Sequence, residues 1–244
     1  MMPVLEIENL EVSYPDGTCA VSGLSFALEQ GESAALIGAN GAGKTSLLLA
    51  VLGLLPFSGR IRICGTELTP KTAAALRQKA GLVFQNPDDQ LFMPSVYEDL
   101  AFGLRNQGLP ESEVAARVAR WLSALRLAPL KNRTALKLSG GEKRMAALAT
   151  VLVMEPAVML LDEPTAFLDP KARRGLIHTL NGLTHTKLIA THDLAFAAQT
   201  CTRSLVLQNG RLAAEGPSRA LLYDAEKMDA CGVEAIGADT AGGI

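Results

Sequence analysis

No uninterrupted apolar run in the 244-residue sequence approaches the ~18 residues that a membrane-spanning helix requires. Work at a membrane would therefore pass through a partner. An excess of charge is missing too: Lys and Arg total 23 against 25 Asp and Glu, a formal net charge of -2. That balance argues against a strongly basic nucleic-acid binder, while local basic patches stay compatible with it. Cysteine is scarce, and Cys19, Cys64, Cys201 and Cys231 form no Cys-x-x-Cys pair. Reduced, mostly structural thiols in a cytosolic protein are the expectation. The opening MMPVLEIENLEV has neither the basic n-region nor the apolar h-region of a signal peptide. Repeats and low-complexity blocks are also absent. The chain has the length for one large domain with a substantial core.

Short strands with a turn at YPDG are expected over residues 3 to 30, and LSFALEQGE reads as the end of a hairpin. SAALIG reads as a buried strand and KTSLLLAVLGLL as the helix after it. GRIRICGTEL alternates like an antiparallel strand, and AGLVFQ reads as a second buried strand. From Asn86 to about Glu155 the pattern turns helical. ESEVAARVARWLSALRL sets Val114, Val118, Trp121, Leu122 and Leu125 on one face, with Pro110 and Glu111 at its start. AVMLLD (157–162) and KLIATHD (187–193) return to buried strands around a helix at 170–182. This βαβ order predicts an α/β fold with a parallel core sheet, an N-terminal antiparallel β part and a helical subdomain at 86–155. A single domain is expected over 1–244. Its tail, residues 217–244, is Ala/Gly-rich, and the sequence assigns it neither motif nor order.

Against this background GANGAGKTSLLLAVLG, residues 38 to 53, is unusual. It crowds glycines just ahead of an expected helix, although glycine inside an element costs up to ~1 kcal/mol relative to alanine. Bare backbone is needed where main-chain N–H groups must converge on a polyphosphate. Gly38, Gly43, Lys44 and Thr45 fit G-x-x-x-x-G-K-[ST] in the required strand-to-helix setting, and the loop also holds Ala39, Asn40, Gly41, Ala42 and Ser46. The helix N-terminus adds positive partial charge. Lys44 would reach the β- and γ-phosphates of ATP, and the Thr45 hydroxyl would ligate Mg²⁺. VMLLDE supplies the complementary acids at a strand end: Asp162 for the metal, and Glu163 to polarise a water against the γ-phosphate. LSGGE offers a second anion nest at Ser139, Gly140 and Gly141. Read alone it is a plain loop and helix cap; read with the first nest, it suggests a nucleotide on another subunit. His178, His185 and His192 recur every seven residues, but on a helix, a turn and a strand end, which argues against a shared metal.

In order, Tyr14, GANGAGKT, Gln85, LSGGE, VMLLDE, FLDP and His192 resemble an ATP-binding-cassette ATPase, a P-loop NTPase, over residues 4 to 220. The resemblance implies that Tyr14 stacks on adenine and that Gln85 touches Mg²⁺ or the attacking water and senses a membrane partner. It implies that His192 contacts the γ-phosphate and that Asp169 lies in a loop crossing a dimer interface. Two subunits, identical or related, would sandwich two ATP molecules. Ser139 and Gly141 of one would then face Lys44 and Glu163 of the other. Two departures from the family pattern occur: Glu142 stands where Gln is commoner, and Phe167 where a small residue is usual.

FQNPDDQLFMPSVYEDLAFGLRNQGLP and YPDGTCAVSGLSF resemble ATPases of energy-coupling-factor importers, in particular their cobalt and nickel branch. That resemblance implies a peripheral subunit on the cytoplasmic face of the membrane. Its partners would be a transmembrane coupling protein and a substrate-specific membrane subunit. Leu91, Phe92, Met93 and Tyr97 would form the docking groove. The metal follows from kinship alone, since no ligand set in this chain supports it. ATPases of vitamin, amino-acid or heme transporters are the alternative, followed by a soluble non-transport relative. Residues 86 to 138 are too few for the coiled-coil arms of DNA-repair relatives, and no nucleic-acid partner is expected.

Overall fold

Apolar residues alternating with polar ones, with a break in register after Ile7, build the first layer. In β1 (Leu5–Ser13) and β2 (Cys19–Leu28) the buried residues pair across the strands: Leu5 with Leu28, Ile7 with Phe26, Leu10 with Leu24 and Val12 with Val21. The computed structural model describes residues 3–237. β3 (Ser33–Ile37), β4 (Phe57–Ile63), β5 (Thr66–Glu67) and β6 (Ala80–Val83) follow, with α1 (Lys44–Val51) after β3 and α2 (Ala73–Arg77) before β6. Residues 86–155 hold α3 (Val96–Asn106), α4 (Glu111–Ala124) and α5 (Gly140–Leu152), and no strand. The chain then runs through β7 (Val158–Asp162), α6 (Pro170–Gly182), β8 (Thr186–Thr191), α7 (Leu194–Thr200), β9 (Arg203–Gln208), β10 (Arg211–Pro217), α8 (Ser218–Leu222) and α9 (Ala225–Ala230).

Two sheets result among the described residues. One is antiparallel, in the order β2-β1-β4-β5, and the other runs β10-β9-β3-β8-β7-β6 with β9 through β6 parallel. The parallel strands β3, β7 and β8 are buried at every position, as a sheet covered on both faces requires. Alternation along β3 divides the core. Ala34 and Leu36 pack with α1 and the antiparallel sheet, while Ala35 and Ile37 pack with the helices of the other face. Each buried leucine or isoleucine contributes ~1.5–3 kcal/mol. α1 therefore sits between two layers, which is why Leu47, Leu48, Ala50 and Val51 are all buried.

LSFALEQGE is the end of a hairpin as expected, because β2 returns antiparallel along β1 through the YPDG turn, with Leu28 opposite Leu5. Four expectations need correction. The helix after the glycine loop stops at Val51 rather than running on to Leu55. Gly53 turns left-handed (φ 65°), Gly53 N donates to Ala50 O and Leu54 N to Leu49 O, which closes the helix end. β6 is an edge strand, so only Ala80 and Val83 are buried. Leu91 is buried in the core and cannot serve as an exposed docking residue. The start of the tail is ordered: α8 and α9 place Leu221, Leu222, Met228 and Cys231 in the main core, while 238–244 lie outside the described residues.

Candidate active site

Four parallel strands end at one edge of the large sheet. β3 delivers the glycine loop, β6 delivers Gln85, β7 ends in Asp162 and is followed by Glu163, and β8 delivers His192. This is the edge where open α/β sheets bind ligands. Gly43 precedes α1 with φ 100°, and a Cβ there would lie 2.1 Å from the carbonyl oxygen of Ala20. A Cβ on Gly38 would lie 2.6 Å from Leu207 O. The motif glycines are therefore fixed by close backbone approach as well as by phosphate chemistry.

Lys44 is buried, and its Nζ donates to Gly38 O at 2.7 Å and Ala39 O at 3.2 Å, with Glu163 Oε1 3.6 Å away. Thr45 Oγ1 donates to Asp162 Oδ2 at 2.8 Å. Oδ1 of Asp162 is buried and has no hydrogen-bond partner among the described residues. Burial pushes the Asp162 carboxyl above its usual range. The Thr45 hydrogen bond opposes this, the neighbouring Glu163 charge adds to it, and Lys44 and Arg144 oppose it. An unpaired carboxylate oxygen beside a hydroxyl is the hard-oxygen pair that Mg²⁺ takes when phosphate and water complete its shell. Among the described residues no group of three or more His, Cys, Asp and Glu is arranged to hold a metal by itself.

Glu163 adopts φ 41°, an uncommon backbone for a non-glycine residue, while its N–H donates to Ala190 O at 2.8 Å. Its Oε2 accepts from Thr191 Oγ1 at 3.2 Å and from the His192 main-chain N at 3.3 Å, and it lies 2.9 Å from His192 Nδ1. The carboxylate is thereby held at the floor of a cavity of about 440 Å³ lined by Tyr14, Asn40 to Ser46, Gln85, Asp162, Glu163 and His192. That volume falls within the usual ~300–1,000 Å³ of small-molecule sites. Tyr14 is exposed at the rim, its hydroxyl 2.8 Å from Ser46 Oγ.

Gly38 and Ala39 serve Lys44 through their carbonyls rather than lining this cavity. Ser139, Gly140 and Gly141 do not line it either. They open α5, where Ser139 Oγ accepts from Glu142 N at 3.3 Å and Glu142 Oε2 accepts from Ser139 N at 2.7 Å. This reciprocal cap gives Glu142 a local reason to be acidic, next to the positive end of a helix dipole. Asp169 caps α6, accepting from Lys171 N and Ala172 N at 2.8 Å each. Phe167 is 87% exposed with φ 62°, so it fills no space within this chain. Sequence reasoning missed Thr18, Cys19 and Ala20, which complete the cavity wall beside Tyr14, and Thr191, which holds Glu163. Nothing in their residue types marks them; β2 brings the first three there.

A family model described as "ABC transporter" matches residues 21–166. A Geobacter sulfurreducens chain named for an ABC transporter ATP-binding role is 47% identical over 95% of this chain and 93% of its own length. The energy-coupling factor transporter ATP-binding protein EcfA of Methanothermobacter thermautotrophicus is 45% identical over 91% of this chain and 74% of its own. Among solved structures, cbiO1 of Clostridium perfringens, part of the ABC transporter complex cbiONQ, has a TM-score of 0.83 at 37% identity and covers 94% of both chains. With the phosphate loop and the acid pair in one cavity and residues 21–166 matched by the family model, the protein belongs to the ATP-binding-cassette transporter ATPases of the energy-coupling-factor kind, which bind ATP and hydrolyse it to drive transport.

Proposed function

We propose that this chain is the Mg²⁺-dependent energising subunit of a cobalt or nickel importer and that it acts as one half of an ATPase dimer. The observation that carries the reading is the unpartnered Asp162 Oδ1 beside Thr45 Oγ1 and opposite Lys44 and Glu163. Asp162 and Thr45 would hold Mg²⁺, whose charge offsets that of the β- and γ-phosphates, and Gln85 would lie close to the metal or the attacking water. Lys44 leaves the loop carbonyls for the phosphates. Glu163 accepts a proton from water, and His192, whose main-chain N–H donates to Glu163 Oε2, faces the γ-phosphate. Tyr14 stacks on the base. The Ser139–Gly141 turn, which lies away from its own chain's cavity, serves the nucleotide of the second subunit, and a two-fold dimer uses each surface twice.

Docking to membrane subunits is supported by an exposed aromatic pair on the helical side. Phe92 is 64% exposed, and its ring meets that of Phe102 edge-on at 5.2 Å. With the half-buried Met93 and Tyr97 they form a patch suited to a helix of a transmembrane coupling protein at the cytoplasmic membrane face. No helix among the described residues is long and apolar enough to cross a membrane. The metal reading draws on the resemblance of residues 84–110 to the cobalt and nickel branch, while the likeness to cbiO1 supports a place in an ABC transporter complex.

The test is accumulation of cobalt and of nickel in cells carrying the complete transporter with wild-type or Glu163→Gln ATPase. Uptake that is lost with Glu163→Gln supports the reading. Equal uptake with both proteins sinks the energising role, and ATP-dependent uptake of another solute refutes the metal assignment alone.

A further inference from the structure

Gln85 stands at the cavity with an exposed side chain that makes no hydrogen bond among the described residues. Its main chain is what holds it. Arg144 of α5 donates from Nη1 to Phe84 O at 2.6 Å and from Nη2 to Gln85 O at 2.5 Å. Arg144 is only 1% exposed, and among the described residues no carboxylate bonds to it and its Nε has no partner. Burial pushes the guanidinium down to about 10, with the nearby Asp162 charge opposing the shift, so it stays charged at neutral pH. A buried charge spent on two consecutive carbonyls is a costly way to fill space, since packed apolar side chains often serve stability better.

Two further ties fasten the same segment to the same helix. Gln90 Oε1 accepts from Phe84 N at 3.1 Å, while Gln90 Nε2 donates to Ala147 O at 2.8 Å and Thr150 Oγ1 at 2.7 Å. Lys143 Nζ meets Asp88 Oδ1 at 2.6 Å. Residues 84–90 are thus tied along their length to α5, and the first turn of α5 is the Ser139–Gly141 nest.

We propose that Arg144 is a positioning residue for ATP hydrolysis: its planar fork locks the backbone of Gln85 to α5. The glutamine of one nucleotide site and the nest that faces the other then move as one body. This rests on the roles given above to Gln85 and Ser139. Lysine cannot reproduce the device, because a single ammonium on a flexible stem does not span two carbonyls in a fixed plane.

A double-mutant cycle in the assembled transporter tests it, combining Arg144→Met with Gln85→Ala and reading kcat, KM and equilibrium ATP affinity. Arg144→Met is expected to lower kcat by about tenfold or more with ATP affinity within about twofold, as for a group felt only in the transition state. Added to Gln85→Ala, it is expected to cost less than about twofold further, because both act through one element. Arg144→Lys, which keeps the charge, is expected to fall between, and carries the cycle if the methionine variant does not fold. Wild-type kcat in Arg144→Met, or a loss fully additive to that of Gln85→Ala, overturns the role of Arg144 and leaves that of Gln85 standing. Wild-type turnover in Gln85→Ala overturns the Gln85 reading itself, and any Arg144 loss then cannot run through Gln85.

Discussion

Gly43 and Gly41 separate two costs that sequence motifs merge. Both have positive φ, 100° and 81°, but a Cβ on Gly43 would strike Ala20 O at 2.1 Å, whereas one on Gly41 would meet nothing within 4 Å. Gly41→Ala should cost only the left-handed backbone penalty, ~1–2 kcal/mol. Gly43→Ala should cost a further ~1–3 kcal/mol, because backbone on β2 must shift. Thermal unfolding of both variants checks this order, and equal losses would show that β2 yields freely. Chemistry separates in the same way between Lys44 and Glu163. Lys44→Ala should abolish tight ATP binding. Glu163→Gln should keep binding yet lose turnover by ~10²–10⁴-fold. Equilibrium binding and steady-state phosphate release on the two proteins decide it.

Between elements, α6 and α7 are joined by a bidentate ion pair, with Arg173 Nε 2.8 Å from Asp193 Oδ2 and Nη2 3.0 Å from Oδ1. Asp193 also accepts from Phe196 N at the start of α7, next to His192. Burial pushes the Asp193 carboxyl up, but the Arg173 hydrogen bonds, the Phe196 N–H and the Arg173 and His192 charges outweigh it, so it lies below its ordinary value of 3.8. A lowered carboxyl pKa means stability that is present above 3.8 and lost as the pH falls through the lower folded value. Arg173→Met should therefore destabilise by about 1–3 kcal/mol at neutral pH. Its gap from wild type should narrow below 3.8. Urea midpoints across that range measure the gap; a constant difference would assign the loss to the contact of the Arg173 guanidinium with the Phe196 ring, its Cζ 5.9 Å from the ring centre.

At the scale of the whole molecule, the two anion nests are presented separately, and this sets the assembly prediction. Ser139→Arg should bind ATP but fail to hydrolyse it, and should inhibit wild-type protein when mixed with it, because in the proposed dimer each site would borrow the other's nest. Full activity in a demonstrated monomer would end that reading. The tail tests cohesion: Leu222 is fully buried, so Leu222→Ala should cost about 2–5 kcal/mol in urea unfolding. A loss under about 1 kcal/mol would show that α8 contributes little to the core.

Local chemistry determined much of this protein from sequence alone. The strands SAALI and VMLLD, the loop that needs glycine and the acids at a strand end are legible because each depends on neighbours within a few residues. Gln85 could be named only through family resemblance, since an amide at a strand end has no local signature, whereas the Ser139 nest is suggested by its glycine pair ahead of a helix when read with the first nest. What lay beyond the sequence depends on contacts between distant segments. β6 falls at an edge, and Leu91 and the tail helices turn inward because the core offers them apolar cover. Arg144 is the clearest instance. As a residue on an expected helix it reads as surface charge, and only the fold, by bringing α5 across the end of β6, sets its guanidinium on the carbonyls of Phe84 and Gln85.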